Sequence, residues 1–197
     1  MNDALLISNT LLWVIVLALV LVVYALTRQI GILYERVAPM GALVLDQGPK
    51  VGELSPAFNL ETLSGERLPV GLTPTGRSQL LFFLSPTCPV CKKLLPILKS
   101  ISQSESRWLD LVFASDGERP AHVEFRRKAG LGDFPYVLST ELGMAFKVGR
   151  LPYAVLIGED GRVRAKGLVN SREQVESLFE AKERGVASVQ AYLDQAA

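Results

Sequence analysis

Along this chain the hydrophobic positions fall into two regimes: a front segment with no charge, and a remainder in which short apolar runs alternate with polar stretches. Residues 4–27 contain no Asp, Glu, Lys or Arg, and residues 11–24 are continuously apolar or aromatic. Such a run predicts a membrane-spanning helix, because about 20 residues at about 1.5 Å each cover the roughly 30 Å hydrocarbon core. Trp13 and Tyr24 are its candidates for the interfacial belts, and Arg28 ends it. The segment reads as an uncleaved anchor rather than a signal peptide. Its leading residues hold Asp3 and no Lys or Arg, its apolar part exceeds the usual core of about 7–15 residues, and no A-x-A site follows.

Beyond the anchor (1–30), residues 31–50 read as a juxtamembrane connector, either a plain spacer or a segment touching the membrane or another membrane protein. It consists of a short helical extension at 32–37, a break at Pro39, an apolar patch at 40–45 and a turn at Asp46-Gln47-Gly48-Pro49. Residues 51–197 suffice for one domain with one core. Their pattern predicts an extended segment at 58–60, a turn at Ser64-Gly65-Glu66, a strand at 79–84, a helix over about 88–104 and a strand at 109–114. Pro96 predicts a kink inside that helix. A helix over about 120–129 follows, then strands at 153–157 and 162–165 joined through Asp160-Gly161, a strong hairpin signal. A closing helix starts near Ser171, where Ser171 and Gln174 have capping-box spacing. This order is an α/β plan with a mixed sheet.

Composition narrows the function. A net charge of +1 gives no basic face for nucleic acid. The two cysteines, Cys88 and Cys91, are spaced C-x-x-C directly after the apolar run 80–84, so strand, tight turn and helix start follow one another. Cys88 then sits at a helix N-terminus, where free backbone N–H groups and the helix dipole favour the thiolate that attacks disulfides. Pro89 occupies the first turn, where a missing N–H costs nothing. Cys91 lies on the same helix face and can close a disulfide with Cys88. A structural zinc site needs about four ligands, and the chain offers two Cys and His122. A purely structural bridge would close a tiny loop and constrain the unfolded chain little. Ser85-x-x-Cys88 also fits the core of a peroxiredoxin site, but Leu81 stands where such sites carry proline. His122, at a helix start, reads as a solvated surface residue. Lys92 and Lys93 either support the Cys88 thiolate or form the solvated face of the helix.

The C-x-x-C after the first core strand, the Asp-Gly hairpin and Gly149-Arg150-Leu151-Pro152-Tyr153 before the strand at 153–157 together resemble the thioredoxin fold. The resemblance implies that Pro152 is the cis-proline facing the C-x-x-C, and that Leu151, Pro152, Thr87 and Pro89 contact the substrate chain. The start Val51-Gly52-Glu53-Leu54-Ser55-Pro56-Ala57-Phe58-Asn59-Leu60 resembles the leader of the membrane-anchored TlpA-like and peroxiredoxin-like branch of that fold. The anchor, residues 28–39 and Ser85-Pro86-Thr87-Cys88-Pro89-Val90-Cys91 are together similar to the MauD family of methylamine dehydrogenase accessory proteins, over essentially the whole chain. Two thioredoxin features are missing: Thr87 replaces the Trp before the first cysteine, and Phe82 replaces the buried carboxylate that takes the proton of the second.

That resemblance implies a membrane-anchored thiol–disulfide oxidoreductase that helps mature the disulfide-rich small subunit of methylamine dehydrogenase, with Cys88 and Cys91 as catalytic residues and no cofactor beyond their own disulfide. Without a second C-x-x-C, a membrane redox partner must reset the pair; oxidation, reduction and isomerisation all stay open. The chemistry places the domain on the periplasmic side of the inner membrane. The charges disagree: Arg28 and Arg36 follow the span and none precedes it, which by the positive-inside rule would keep the domain in the cytoplasm. The alternatives are a general periplasmic reductant for cytochrome c maturation and a non-redox chaperone or copper carrier using the same two cysteines.

Overall fold

The computed structural model describes residues 2–36, 48–71 and 76–184. The apolar patch at 40–45 and the break at Pro39 lie outside them. Two units result, divided between Leu45 and Asp46.

The first unit is helix α1 (Asn2–Arg36), which runs without interruption through the segment expected to be a separate extension. Its apolar part, Leu6–Tyr24, has a mean hydropathy of 2.7, and none of it is buried among the described residues. At 1.5 Å per residue those 19 residues reach about 28 Å, so α1 fits a single-pass membrane anchor. Near its start Thr10 Oγ1 donates back to the carbonyls of Leu6 and Ile7, both at 2.9 Å, so this hydroxyl is satisfied within the helix.

The second unit is a five-stranded sheet with helices on both faces. A hairpin of β1 (Phe58–Glu61) and β2 (Arg67–Val70) leads into β3 (Ser78–Phe83), α2 (Pro89–Ser104), β4 (Leu109–Ser115) and α3 (Arg119–Lys128). Then come β5 (Tyr136–Leu138), α4 (Thr140–Ala145), β6 (Tyr153–Ile157), β7 (Val163–Leu168) and α5 (Arg172–Arg184). The sheet order is β5-β4-β3-β6-β7; β3, β4 and β5 are parallel, and β6 and β7 run against them.

β3 lies at the centre, and all six of its residues are buried. Alternation distributes them: Leu80 and Phe82 enter one core with Leu94 and Leu98 of α2, Phe125 of α3, and Val175 and Leu178 of α5. Leu81 and Phe83 enter the other, with Leu142 of α4, Val70 of the hairpin, and Val155 and Ile157 of β6. The stripe Cys91, Leu94, Leu95, Leu98, Ile101 turns α2 onto the sheet, and the helix continues through Pro96.

Where local signals were strong, expectation and structure agree. Gly161, at φ 75°, closes the β6–β7 turn by donating to the Gly158 carbonyl at 2.9 Å. Gln174 N–H donates to Ser171 Oγ at 3.4 Å, while the Gln174 carboxamide accepts from Asn170 N–H at 2.7 Å, one residue earlier than in the usual capping box. β5 and α4 were not foreseen. They are three and six residues long, too short to show a period, and α4 is announced only by Ser139, whose hydroxyl accepts from Leu142 N–H at 3.1 Å.

One polar tie fastens α5 to the sheet. Lys182 Nζ bridges Ser78 Oγ at 2.8 Å and Glu159 at 3.0 Å, and lies 4.6 Å from the Trp108 ring centroid. The backbone N–H of Glu159 itself, and then Lys182, hold its carboxyl down at about 2, from an ordinary 4.5. A depressed carboxylate contributes stability above its ordinary pKa and loses it as the folded-state pKa is approached. The Tm advantage of wild type over Glu159→Gln is therefore expected to shrink as pH falls from 4.5 towards about 2, in thermal melts followed by circular dichroism; with about half the side chain in water, the advantage is small. A gap that stays constant over this range would remove Glu159 from the tie.

Candidate active site

Parallel β3 ends at its C-terminal edge in the loop Ser85-Pro86-Thr87, and Cys88 N–H closes that loop on the Ser85 carbonyl at 3.1 Å. The Ser85 and Thr87 hydroxyls bond each other at 2.9 Å, which stiffens the approach. Cys88 (φ −77°, ψ 113°) is the N-cap of α2, and Pro89 follows in the first turn. The cap contact is made by sulfur: Cys91 N–H donates to Cys88 Sγ at 3.1 Å. Cys88 remains half-buried at the surface, whereas Cys91 is completely buried beneath it.

The two thiols thus face different media. Burial, and then the hydrogen bond with Cys88, push the Cys91 thiol up to about 12. Thr87, Pro89 and Val90 are exposed around Cys88, and Lys92 and Lys93 lie on the outward face of α2. The Leu151–Pro152 peptide is cis. Antiparallel pairing of Phe83 with Tyr153 puts the residue before β6 and the residues after β3 at the same end of the sheet, so Leu151 and Pro152 arrive beside the Ser85–Cys88 loop. Leu151 is exposed there and Pro152 buried. A cavity of about 350 Å³ opens along this edge, lined by Leu84, Ser115, Gly149, Arg150 and Leu151 among others.

Phe82 is fully buried, and among the described residues no carboxylate is buried anywhere. The buried polar side chains are Ser55, Thr62, Ser78, Gln79, Ser115 and His122. His122 corrects the sequence reading: it is 3% exposed and belongs to the interior, with Nδ1 2.8 Å from the Tyr136 hydroxyl and Nε2 2.9 Å from the Asp116 carbonyl oxygen. The signal was present in the helical spacing of His122, Phe125 and Ala129, of which the first two are buried on α3 and the third packs against the core.

A C-x-x-C at the N-terminus of the helix after the central strand, opposite a cis-proline loop, defines this domain as a thioredoxin-like protein. Solved structures agree on the fold. A putative thiol:disulfide interchange protein DsbE from Chlorobium tepidum superimposes with a TM-score of 0.62 at 17% identity, covering 68% of this chain and 99% of that one. StoA from Bacillus subtilis gives 0.55 at 24%, covering 64% and 98%. The Redoxin family profile matches residues 50–182. More narrowly, the methylamine utilization protein MauD of Methylorubrum extorquens is 46% identical over 187 residues, 94% of this chain and 90% of that protein. MauD of Paracoccus denitrificans is 45% identical over 194 residues, 98% and 96% of the two chains. The chain belongs to the MauD family.

Proposed function

We propose that this protein is a membrane-anchored thiol–disulfide oxidoreductase that acts on the small subunit of methylamine dehydrogenase during its maturation. The observation that carries the chemistry is the division between an accessible Cys88 sulfur, receiving the Cys91 N–H at 3.1 Å, and a Cys91 buried behind it. An N–H aimed at the sulfur strengthens when that sulfur is negative, and charge-assisted hydrogen bonds are roughly twice as strong as neutral ones. The Cys88 thiolate attacks one sulfur of a client disulfide, and the other client sulfur leaves as thiolate. Cys91 then attacks Cys88, releases the second client thiolate and leaves the Cys88–Cys91 disulfide. Run backwards, the same steps oxidise a client dithiol; stopped after the first, with a client thiol attacking the mixed disulfide, they isomerise.

Leu151 offers extended backbone to a client strand, Pro152 lacks the N–H that would compete for it, and Thr87 and Pro89 border the entering sulfur. The pair itself is the redox group, and a dithiol–disulfide protein of the membrane resets it. The client follows from membership of a family whose named relatives serve methylamine utilization. A chain rich in cysteine has many wrong pairings, and a dedicated exchange catalyst corrects them. This client requires the domain on the periplasmic side, with 1–30 as anchor and 31–50 as connector.

The test is a trap. Cys91→Ala leaves Cys88 able to attack and unable to be resolved internally. After acid quench and alkylation of membranes expressing the full-length variant, the dehydrogenase small subunit is expected disulfide-linked to Cys88. Apocytochromes in its place would move the function to cytochrome c maturation, and a free, reduced Cys88 would defeat the redox reading.

A further inference from the structure

The loop before Pro152 must hold its shape to receive a client strand, yet residues 149–151 make no backbone hydrogen bond among the described residues. Its shape is therefore set where it leaves and where it starts. It leaves through Pro152, whose carbonyl accepts from Val169 N–H at 3.2 Å, and then enters β6. It starts at the end of α4, where the backbone takes a conformation that its side chain does not favour.

α4 ends in a Schellman motif: Val148 N–H donates to the Gly143 carbonyl and Lys147 N–H to the Met144 carbonyl, both at 3.0 Å. Such an end needs a left-handed residue after the cap, Phe146, and glycine usually fills that place. Here Lys147 fills it, at φ 53°, the one non-glycine residue with positive φ among the described residues. A side chain in that conformation persists where its neighbours fix it. The neighbour is Gly48. A Cβ on Gly48 would stand 2.7 Å from the Phe146 carbonyl oxygen, 3.0 Å from its carbon and 3.5 Å from Lys147 Cβ. Gly48 is itself at φ 122°, which strains any other residue. Its bare backbone lies directly on the corner, with no room for a methyl group between.

The same corner is packed against the site. Phe146 is buried, with its ring centroid 5.9 Å from that of Phe83. Phe83 ends β3, pairs with Tyr153 just after Pro152, and lines the cavity of about 350 Å³. Val148, Gly149, Arg150 and Leu151 line that cavity in succession, so the loop forms a side of it. Val51 and Val148 pack on the core cluster that holds Phe146, which gives the chain after Gly48 and the chain after Lys147 one support. Beyond Gly48 the segment is fastened again. Lys50 N–H donates to Glu53 Oε2 and Gly52 N–H to the Val163 carbonyl, both at 2.8 Å.

We propose that Gly48 is a positioning residue for client binding: it clamps the Phe146–Lys147 corner from which residues 148–151 spring, and so sets the Leu151 backbone beside the Ser85–Cys88 loop. The inference rests on the reading of Leu151 and Pro152 as client contacts. Gly48 lies near the end of the connector, so the chain that follows the anchor joins the domain at the root of the client loop. Because Gly48 acts through this corner, its effect falls on how an extended client is held. The Cys88 thiolate, capping α2, keeps its own reactivity.

The experiment sets the reduced full-length protein in detergent against two disulfides, each in excess. Dithionitrobenzoate needs only the Cys88 sulfur, whereas insulin, whose disulfides lie within peptide chains, also needs the loop. Single-turnover oxidation of the protein over a range of insulin concentrations gives a limiting rate and a half-saturating concentration. In Gly48→Ala the half-saturating concentration is expected to rise about tenfold, the scale of one or two lost main-chain hydrogen bonds. The limiting rate and the first thiolate release from dithionitrobenzoate should change little, the signature of lost binding alone. Glu53→Ala removes an exposed side chain, frees the Lys50 N–H and adds no clash; it should move the same constant the same way, by about threefold. Wild-type half-saturation in a folded Gly48→Ala protein overturns the inference, and so does an unchanged Glu53→Ala protein if Gly48→Ala does not fold. Equal slowing with both disulfides also overturns it, since the damage would then reach Cys88. Unchanged half-saturation in Leu151→Asp would instead defeat the reading of Leu151 as a client contact.

Discussion

Cys88→Ala is expected to reduce thiol–disulfide exchange by roughly a thousandfold or more, the scale on which enzymes lose rate with their nucleophile. Cys91 cannot take over. It has no exposed surface, and burial pushes its thiol up to about 12, so at pH 7 it stays protonated. Nor can a neighbouring hydroxyl: Ser85 and Thr87 bond each other and are far weaker nucleophiles than a thiolate. Reaction of the reduced variant with dithionitrobenzoate, set against buffer alone and against Cys91→Ala, measures the effect. The two single variants should differ in kind, since Cys91→Ala keeps the first thiolate release and loses the second. Exchange by Cys88→Ala within tenfold of wild type would make Cys91 the attacking group and would reverse the roles proposed for the pair.

The asymmetry between the cysteines shows how far the sequence could be read. The apolar run 80–84, the C-x-x-C and Pro89 state locally that a strand ends, a helix begins and Cys88 caps it, because turn, cap and first-turn chemistry involve neighbours only. The Asp160-Gly161 turn was legible for the same reason. Leu151-Pro152 was placed by its position before a strand, and the register of Phe83 on Tyr153 brings it to the same sheet end as Cys88. What stayed hidden depends on distant partners. His122 looks like a helix-start surface residue until Tyr136 arrives on a three-residue strand that shows no period, paired through Phe113 to β4. A polar group accepted by the core is recognised from its partner, and the partner lies 14 residues away on an element the pattern does not announce.

Phe82 carries the second large effect, and it concerns stability. Phe82 is the penultimate residue of the central strand and has no exposed surface, edge-on to Phe113 at 6.1 Å between centroids and 87° between planes. Removing a buried phenyl forfeits its transfer energy and leaves a cavity, so Phe82→Ala is expected to cost about 3–5 kcal/mol. A domain of this size is stable by about 5–15 kcal/mol, so a third or more of the folding free energy can rest on this ring. Phe82→Asp, which restores the acid of other thioredoxin-like proteins, is expected to do worse and leave no folded protein at neutral pH. The carboxylate would meet Leu80, Leu94, Leu98 and Phe113 of an apolar cluster with no cation in it, and an unpaired buried charge is costlier than a void. Urea titrations of the full-length protein in detergent, followed by near-ultraviolet circular dichroism, measure both. A loss below 1 kcal/mol for Phe82→Ala would mean that the β3–α2 core closes over the gap. A folded Phe82→Asp protein would show that this core can solvate an acid behind Cys91. The packing at Phe82 argues against both results: the ring occupies the acid's place with no exposed surface and stands edge-on to Phe113.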